Sequence, residues 1–253
     1  LRELNKLADR CDTDEWVEQI TQWKKQYPLR YNHCGDEEIK PQYLIEQVCR
    51  LAPDDAIIAS EVGQHQMWTA QYYTFTHPRC WLTSGGLGTM GYGFPAAIGA
   101  QVANPERLVI DIAGDGSIQM NIQEMATAVY NNLPVKVVIV NNGWLGMVRQ
   151  WQDLFYQKNY SATELVRPRS AKDPSSYGSW EGQDYRPNFA ELARAYGAWG
   201  KRVTKRSELE PALKEAFSND QLCLIDVWVT REENVYPMVP AGASLNQMLE
   251  GMA

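Results

Sequence analysis

The hydrophobic positions alternate along the chain between short continuous runs and longer segments with helical spacing. Residues 135–140 form a buried-type, β-branched run, whereas apolar residues in 41–51 recur every three or four positions. Strands that alternate with helices are typical of a parallel sheet covered on both faces. We therefore predict an α/β fold, with further strands at 56–59, 108–113, 199–203 and 223–229 and helices at 95–103, 188–196 and 208–217.

Polar residues follow two neighbouring predicted strands at the point where each strand ends. Gly114, Asp115 and Gly116 follow the first run, and Asn141 and Asn142 follow the second. A carboxylate and a carboxamide at the carboxyl ends of neighbouring strands can share one hard cation, which prefers oxygen ligands. Mg²⁺ fits best, because it takes its remaining oxygens from water or a substrate phosphate. The sequence thus predicts a diphosphate that is anchored through a metal.

A further helix is predicted directly after the first of these turns. Ile118, Ile122, Met125 and Val129 recur at helical spacing. Ser117 would lie at the start of this helix, where free N–H groups favour an anion. This placement supports the diphosphate hypothesis.

Composition excludes several classes of function. The chain has 253 residues and a net charge of −7, which disfavours nucleic acid as a partner. No apolar run approaches the roughly 20 residues of a membrane helix. The five cysteines show no metal-ligand spacing, which favours free thiols in a reducing compartment such as the cytoplasm.

The organisation of the chain is also predicted. Residues 1–35 are interpreted as a helical linker from a preceding domain, and 36–253 as the binding domain. Because the chain opens at Leu1 inside an apparent helix, we expect a piece of a longer or processed polypeptide. Residues 161–187 lack periodicity and are predicted to be an insertion, either a plain surface excursion or a lid.

The two metal-loop motifs together resemble the signature of thiamin diphosphate enzymes. In that family the residues matching Asp115 and Asn142 bind Mg²⁺, with the main-chain carbonyl at Trp144 as a third ligand. Residues 62–68 and 84–100 further resemble acetohydroxyacid synthases (acetolactate synthases). The cofactor-binding residues that this resemblance implies are Val62, Gly63, Gln64, His65, Gly88, Met90, Gly114, Asp115, Gly116, Ser117, Asn142, Trp144, Gly146 and Met147.

The resemblance also implies roles for individual groups. Gly63, Gln64 and His65 would hold the terminal phosphate, Met90 would support the bent cofactor, and the Gly88 carbonyl would accept from its 4′-amino group. Residues 145–151 would line the substrate channel, where Met147 and Trp151 contact the substrate. A flat aromatic surface at Trp151 can strengthen the binding of a substrate with one extra methylene by about 1–3 kcal/mol.

The implied activity is the decarboxylation of pyruvate and addition of the hydroxyethyl carbanion to pyruvate or 2-ketobutyrate, in branched-chain amino acid biosynthesis. The family implies FAD in the full-length enzyme only, a homodimer or homotetramer, and a small regulatory subunit, in the cytoplasm or a plastid. The activating glutamate is expected from a pyrimidine-binding domain of a second subunit. No catalytic residue is therefore expected in this chain, and Glu61 and Glu124 are poor candidates for that role.

Two alternatives stay open at this point. The chain is either part of another thiamin diphosphate-dependent decarboxylase or carboligase, or a non-catalytic assembly module of the same fold. The presence of Asp115, Asn142, Met90 and the Gln64–His65 pair argues against the second alternative.

Overall fold

The computed structural model describes residues 1–7, 12–32, 35–166 and 186–251. The chain divides into two compact units, Leu1–Tyr31 and Asn32–Ala253. The first unit contains helices α1 (Arg2–Leu7) and α2 (Asp14–Gln26). On α2 the rings of Trp16 and Trp23 meet edge to face, with centroids 5.5 Å apart. The proposed functional boundary at residue 35 stays a prediction.

The second unit is built on one parallel sheet of six strands in the order β2-β1-β3-β4-β6-β5. This arrangement confirms the predicted fold class. The strands are β1 (Ile57–Ser60), β2 (Trp81–Thr83), β3 (Val109–Gly114), β4 (Lys136–Asn141), β5 (Trp199–Val203) and β6 (Cys223–Trp228). The helices are α3 (Pro41–Leu51), α4 (Gln64–Tyr72), α5 (Gly93–Ala103), α6 (Met125–Tyr130), α7 (Gly146–Phe155), α8 (Phe189–Ala195) and α9 (Arg206–Phe217).

Both faces of the sheet are buried, because alternate strand residues point to opposite sides. Ile110 and Val138 belong to one core, together with residues of α3, α4 and α9. Val109 and Val137 belong to a second core, together with residues of α5, α6 and α8. Strands that are covered on both sides explain the continuous apolar runs in the sequence.

The strand order reverses direction beside β1. The chain passes from β1 outward to β2 and then returns to the other side of β1 to form β3 and β4. In open α/β sheets, ligands bind at the carboxyl ends of the strands at such a switch point. The loops after β1, β3 and β4 all meet there.

The prediction of a single helix after Gly116 was wrong. Two 3₁₀ turns (Ile118–Met120 and Ile122–Glu124) precede α6, and Asn121 interrupts them with a φ of −137°. The Asn121 side chain donates to the carbonyl of Gly91 at 2.6 Å, so a tertiary contact replaces local helical pairing. Ser117 therefore lies before a 3₁₀ turn and not at the start of an α-helix.

Two features bear on the expectations from composition. Cys49, Cys80 and Cys223 carry free thiols; the other two cysteines lie outside the described residues. Among the helices that the structure describes, none combines the length and apolar character of a membrane span.

Candidate functional site

A cleft with an empty volume of about 510 Å³ lies at the carboxyl ends of β1, β3 and β4. All predicted site residues except Gly88 and Trp151 line it, although they come from four separate segments of the chain. They are Val62, Gly63, Gln64, His65, Met90, Gly114, Asp115, Gly116, Ser117, Asn142, Trp144, Gly146 and Met147. The fold therefore brings the sequence motifs together at one place.

The two exceptions lie close to the cleft but do not line it. A Cβ on Gly88 would lie 3.7 Å from the Val62 side chain, which is itself part of the lining. Trp151 lies on α7 one turn beyond Met147, and 47% of its surface is exposed. Its predicted role at the substrate stays a prediction.

Four lining residues were not predicted from the sequence: Trp68, Val140, Leu145 and Val148. Trp68 follows His65 by nearly one turn of α4, a helix that sequence analysis did not identify. Recognition of that helix would have placed both side chains near the same site. Leu145 and Val148 were included in the predicted substrate segment but were not selected from it.

Asp115 and Asn142, the predicted metal ligands, line the cleft, and both are almost fully buried. Asp115 Oδ2 accepts a hydrogen bond from the Gly143 backbone at 3.1 Å. Asn142 Oδ1 accepts from the Trp144 backbone at 3.0 Å, and its Nδ2 donates to Gln64 Oε1 at 3.2 Å. Gly143 has a φ of +71°, so the turn that presents these groups requires a left-handed residue.

The electrostatics of Asp115 suit a cation. Burial, with a smaller contribution from the Asp226 carboxylate, raises the pKa of the Asp115 carboxyl to about 7, although backbone hydrogen bonds and the Arg186 charge oppose the rise. A divalent cation would stabilise the ionised form that burial disfavours. In the described part of the chain, no three His, Cys, Asp or Glu residues converge as metal ligands. One carboxylate with amide and carbonyl oxygens fits Mg²⁺, which completes its coordination with water or phosphate oxygens.

His65 provides a second sign of a ligand site. Its ring packs on the backbone where β3 ends, so that a Cβ on Gly114 would lie 2.7 Å from the ring. Burial lowers the pKa of His65 to about 3, so the imidazole is neutral at physiological pH. The buried Nε2 atom has no hydrogen-bond partner in the part of the chain that the structure describes. An unpaired buried nitrogen is costly, and an anionic oxygen would satisfy it when the nitrogen carries the proton.

Gln64 links the cleft to residues 233–235, which lie in the C-terminal segment after β6. Its Nε2 donates to Gln150 Oε1 at 2.8 Å and to the Glu233 carbonyl at 2.9 Å. Gln150 in turn accepts from the Val235 backbone at 2.8 Å. Both N–H groups of Gln64 are thus directed at protein acceptors, while its Oε1 orients Asn142. The predicted contact of the Gln64 amide with phosphate stays a prediction.

The start of the predicted lid packs on the metal loop. Trp144 and Glu164 form an antiparallel bridge, and Leu145 N donates to the Thr163 carbonyl at 2.8 Å. The Val166 side chain fills the space beside Gly143, where a Cβ would meet it at 2.4 Å. Residues 163–166 therefore cover the turn that presents Asp115 and Asn142, whereas 167–185 lie outside the described residues.

Comparison with known proteins agrees with this geometry. Residues 61–227 match the family model described as thiamine pyrophosphate enzyme, C-terminal TPP binding domain. The chain is 46% identical to acetolactate synthase 1, chloroplastic, of Oryza sativa subsp. japonica over 94% of its length and 35% of the rice protein. It is 43% identical to the acetolactate synthase large subunit of Haemophilus influenzae over 96% of its length and 39% of that protein.

The chain thus spans between about a third and two fifths of these relatives, 35% and 39% in the two cases. The family model covers the motifs from Val62 to Trp151 on which the resemblance rests, and together with the similarity to acetolactate synthases it confirms that resemblance. The chain belongs to the family of C-terminal thiamine pyrophosphate-binding domains, and its relatives there are acetolactate synthases.

Proposed function

We propose that the chain is the diphosphate- and Mg²⁺-binding part of an acetolactate synthase. The complete enzyme decarboxylates pyruvate and joins the resulting two-carbon unit to a second 2-keto acid, either pyruvate or 2-ketobutyrate. The observation that carries the proposal is the cleft at the switch point, where burial raises the pKa of Asp115 and the buried Nε2 of His65 has no hydrogen-bond partner among the described residues. The similarity to acetolactate synthases supports the choice of reaction.

Each group in the cleft has a defined task in this proposal. Asp115, Asn142 and the Trp144 carbonyl hold Mg²⁺, while neutral His65 and the backbone near Gly63 donate to the terminal phosphate. The remaining cleft residues enclose the diphosphate and exclude water from it. When bound, thiamin diphosphate supplies a thiazolium ring that stabilises the negative charge left by loss of carbon dioxide.

The other side of the cofactor lies near the glycine-rich loop, residues 84–92. There Met90 and the Gly88 carbonyl contact the pyrimidine ring. Met147 faces the substrate, and Trp151 on the same helix favours the larger second substrate. The activating glutamate comes from the pyrimidine-binding domain of a second subunit, so this chain alone binds cofactor weakly and turns over nothing.

The need for a glutamate from a second subunit implies that the complete enzyme is an oligomer. A homodimer or homotetramer supplies the second subunit, and a small regulatory subunit and FAD belong to the complete enzyme. The compartment is the cytoplasm or a plastid, in keeping with the bacterial and chloroplastic relatives.

The first experiment measures binding of thiamin diphosphate to the chain by tryptophan fluorescence, with and without Mg²⁺. Nine tryptophans, including Trp144 in the cleft, provide the signal. Asp115→Ala is expected to weaken binding at least about 100-fold, beyond the 10–100-fold typical of groups that only support a metal ligand. The exposed Asp220→Ala is the matched control and is expected to change nothing. Metal-independent binding that survives Asp115→Ala would contradict the proposed metal site.

A second experiment tests the reaction itself. Residues 32–251 replace the matching segment of a bacterial acetolactate synthase, and acetolactate formation from pyruvate is measured. The chimaera is expected to be active and its Asp115→Ala variant inactive. A folded chimaera that binds thiamin diphosphate but forms another product would favour a different carboligase, and acetolactate formation by the isolated chain would overturn the requirement for a second subunit.

A further inference from the structure

Two carboxyl groups that the proposed reaction does not use are buried beneath the glycine-rich loop. Glu61 follows β1, and Asp111 lies within β3. Both side chains have no measurable exposure to solvent. Asp111 pairs in register with Ala59, two residues before Glu61, so alternation places both carboxyl groups on the face of the sheet that α5 covers.

The two carboxyl groups differ sharply in their hydrogen bonds. Glu61 Oε2 accepts from the Gly91 backbone at 2.6 Å, and Oε1 accepts from the Phe94 backbone at 3.0 Å. Neither oxygen of Asp111 has a hydrogen-bond partner in the described structure. Its register neighbours Ala59 and Val137 are buried and apolar. Backbone N–H donors therefore converge on Glu61 and favour its ionised form. No such donor in the described structure favours ionisation of Asp111.

The helix that leaves the loop lies directly against this pair. A Cβ on Gly93 would lie 2.4 Å from Asp111 Oδ1 and 2.6 Å from the Glu61 backbone nitrogen. Only a residue without a side chain allows such an approach. The first turn of α5 and the loop before it are thus fixed to the sheet through the two carboxyl groups.

We propose that Asp111 is held protonated beside an ionised Glu61, and that the Glu61 carboxylate is a positioning residue that fixes the glycine-rich loop and hence Met90. The connection to Met90 runs through the backbone, because Met90 immediately precedes Gly91, whose amide donates to Glu61. The effect on the cofactor rests on the proposed function, whereas the protonated Asp111 and the fixed loop do not.

The electrostatics agree with this assignment. Burial, and then the Glu61 charge, raise the pKa of Asp111 well above its usual range. Burial also raises the pKa of Glu61, but the backbone amides of residues 91–94 act against the rise. Within the described residues, Glu61 is the charged group that acts on Asp111. A proton that the unfolded chain releases near pH 4 stays bound in the folded chain, so stability falls as pH rises toward the folded pKa.

Three measurements on the chain test the proposal without cofactor. In the infrared spectrum above pH 8, where Asp115 is ionised, we expect the carbonyl band of one protonated carboxylic acid. This band is expected to vanish in Asp111→Asn and to persist in Glu61→Gln and Asp115→Asn. Asp111→Asn is also expected to flatten the fall in melting temperature with rising pH.

Amide hydrogen exchange tests the positioning role. In Glu61→Gln the side-chain oxygen can still accept from one backbone donor, but the amide nitrogen faces the other, so at least one of the Gly91 and Phe94 amides is expected to exchange at least about tenfold faster. In Asp111→Asn, which keeps a neutral side chain of nearly the same shape, both amides are expected to stay within about twofold of the parent. Thiamin diphosphate affinity with Mg²⁺ is expected to fall about tenfold in Glu61→Gln and to be retained in Asp111→Asn.

The outcomes separate the two proposals. A band that persists in Asp111→Asn, or Gly91 and Phe94 amides unchanged in a folded Glu61→Gln chain, would overturn the acid pair. If Glu61→Gln does not fold, the band in Asp111→Asn still decides. Absence of cofactor binding in the parent chain, with the band and the exchange pattern as expected, would overturn only the proposed function.

Discussion

The two ends of the parallel sheet bury polar groups in opposite ways. At the amino end Lys136 is 1% exposed, and its Nζ donates to the carbonyls of Asn219 and Gln221, the latter at 2.8 Å. At the carboxyl end the Nε2 of His65 is also buried, and it has no hydrogen-bond partner within residues 1–7, 12–32, 35–166 and 186–251. A buried polar group that is satisfied within the chain serves the fold, whereas an unsatisfied one in the lining of a cleft can bind a ligand.

The same contrast appears in the charges. Burial lowers the pKa of Lys136, but the interaction with Cys223 opposes the change. Burial, together with the Asp226 charge, raises the pKa of Asp115 to about 7. Substitutions at the amino end should therefore affect stability, and substitutions at the carboxyl end should affect ligand binding.

Among the changes that test this comparison, the largest expected effect is the loss of cofactor affinity in His65→Phe. The apolar ring keeps the packing on Gly63 and Gly114 but removes a hydrogen bond to a charged oxygen, worth about 1.5–3 kcal/mol. We expect the dissociation constant of thiamin diphosphate to rise about 10–100-fold and the melting temperature not to fall, as measured by fluorescence titration and calorimetry. A large fall in melting temperature with an unchanged dissociation constant of thiamin diphosphate would show that His65 serves the fold and not ligand binding.

Lys136→Met is the complementary change at the amino end. It keeps the length of the side chain but leaves the Asn219 and Gln221 carbonyls without their donor. We expect the free energy of unfolding to fall by about 2 kcal/mol, since unsatisfied buried acceptors cost about 1–3 kcal/mol. Denaturant titration measures this loss, and cofactor affinity should stay within about twofold of the parent value.

The pH dependence of Mg²⁺ binding tests the role of Asp115 at the carboxyl end of the sheet. The folded pKa of Asp115 is about 7, above the ordinary value of 3.8, so the proton competes with Mg²⁺ below pH 7. We expect Mg²⁺ affinity in the presence of thiamin diphosphate to fall about tenfold from pH 8 to pH 6. The same titration of Mg²⁺ with thiamin diphosphate in the absence of the chain accounts for protonation of the diphosphate itself.

Stability without metal should change in the opposite sense. Because the folded chain keeps the Asp115 proton to higher pH than the unfolded chain, this group lowers stability progressively from about pH 4 to about pH 7. Asp115→Asn should remove that contribution. Unchanged profiles in the variant would place the titrating group elsewhere.

The smallest effect is expected from Trp151→Leu. Trp151 lies outside the cleft lining, so cofactor binding to the chain should not change. In the chimaeric enzyme the preference for 2-ketobutyrate over pyruvate should fall about tenfold, the usual value of one methylene contact. Competition between 2-ketobutyrate and pyruvate measures this preference. For the fluorescence titration of cofactor binding to the isolated chain, Trp23→Leu is the control, because Trp23 is equally exposed.

Sequence analysis succeeded where one local signal determines an element. The buried runs that became β3 and β4, and the proline at the first turn of α3, are such signals. It missed α4, whose buried residues include the polar Gln64, His65 and Thr69. Helical periodicity assigns polar residues to the exposed side, so a helix that buries them for a site gives no recognisable pattern.

The membership of the site was largely predictable, but its internal connections were not. Gln64 and Gln150 are 86 positions apart in the sequence, and the hydrogen bond between them depends on the tertiary fold. Asp111 was visible only as one charge in an apolar strand. That it lies beside Glu61 follows from strand register, which no local pattern specifies.

The antiparallel pairing of Thr163–Leu165 with the loop after β4 has a mechanical consequence for the turn that presents Asn142. Two backbone hydrogen bonds join the segments, from Leu145 N to the Thr163 carbonyl and from Leu165 N to the Gly143 carbonyl. The Val166 side chain fills the space beside Gly143. The turn thus keeps its shape as part of a small two-stranded unit, and a substitution that breaks this pairing would loosen the predicted metal ligands without touching them.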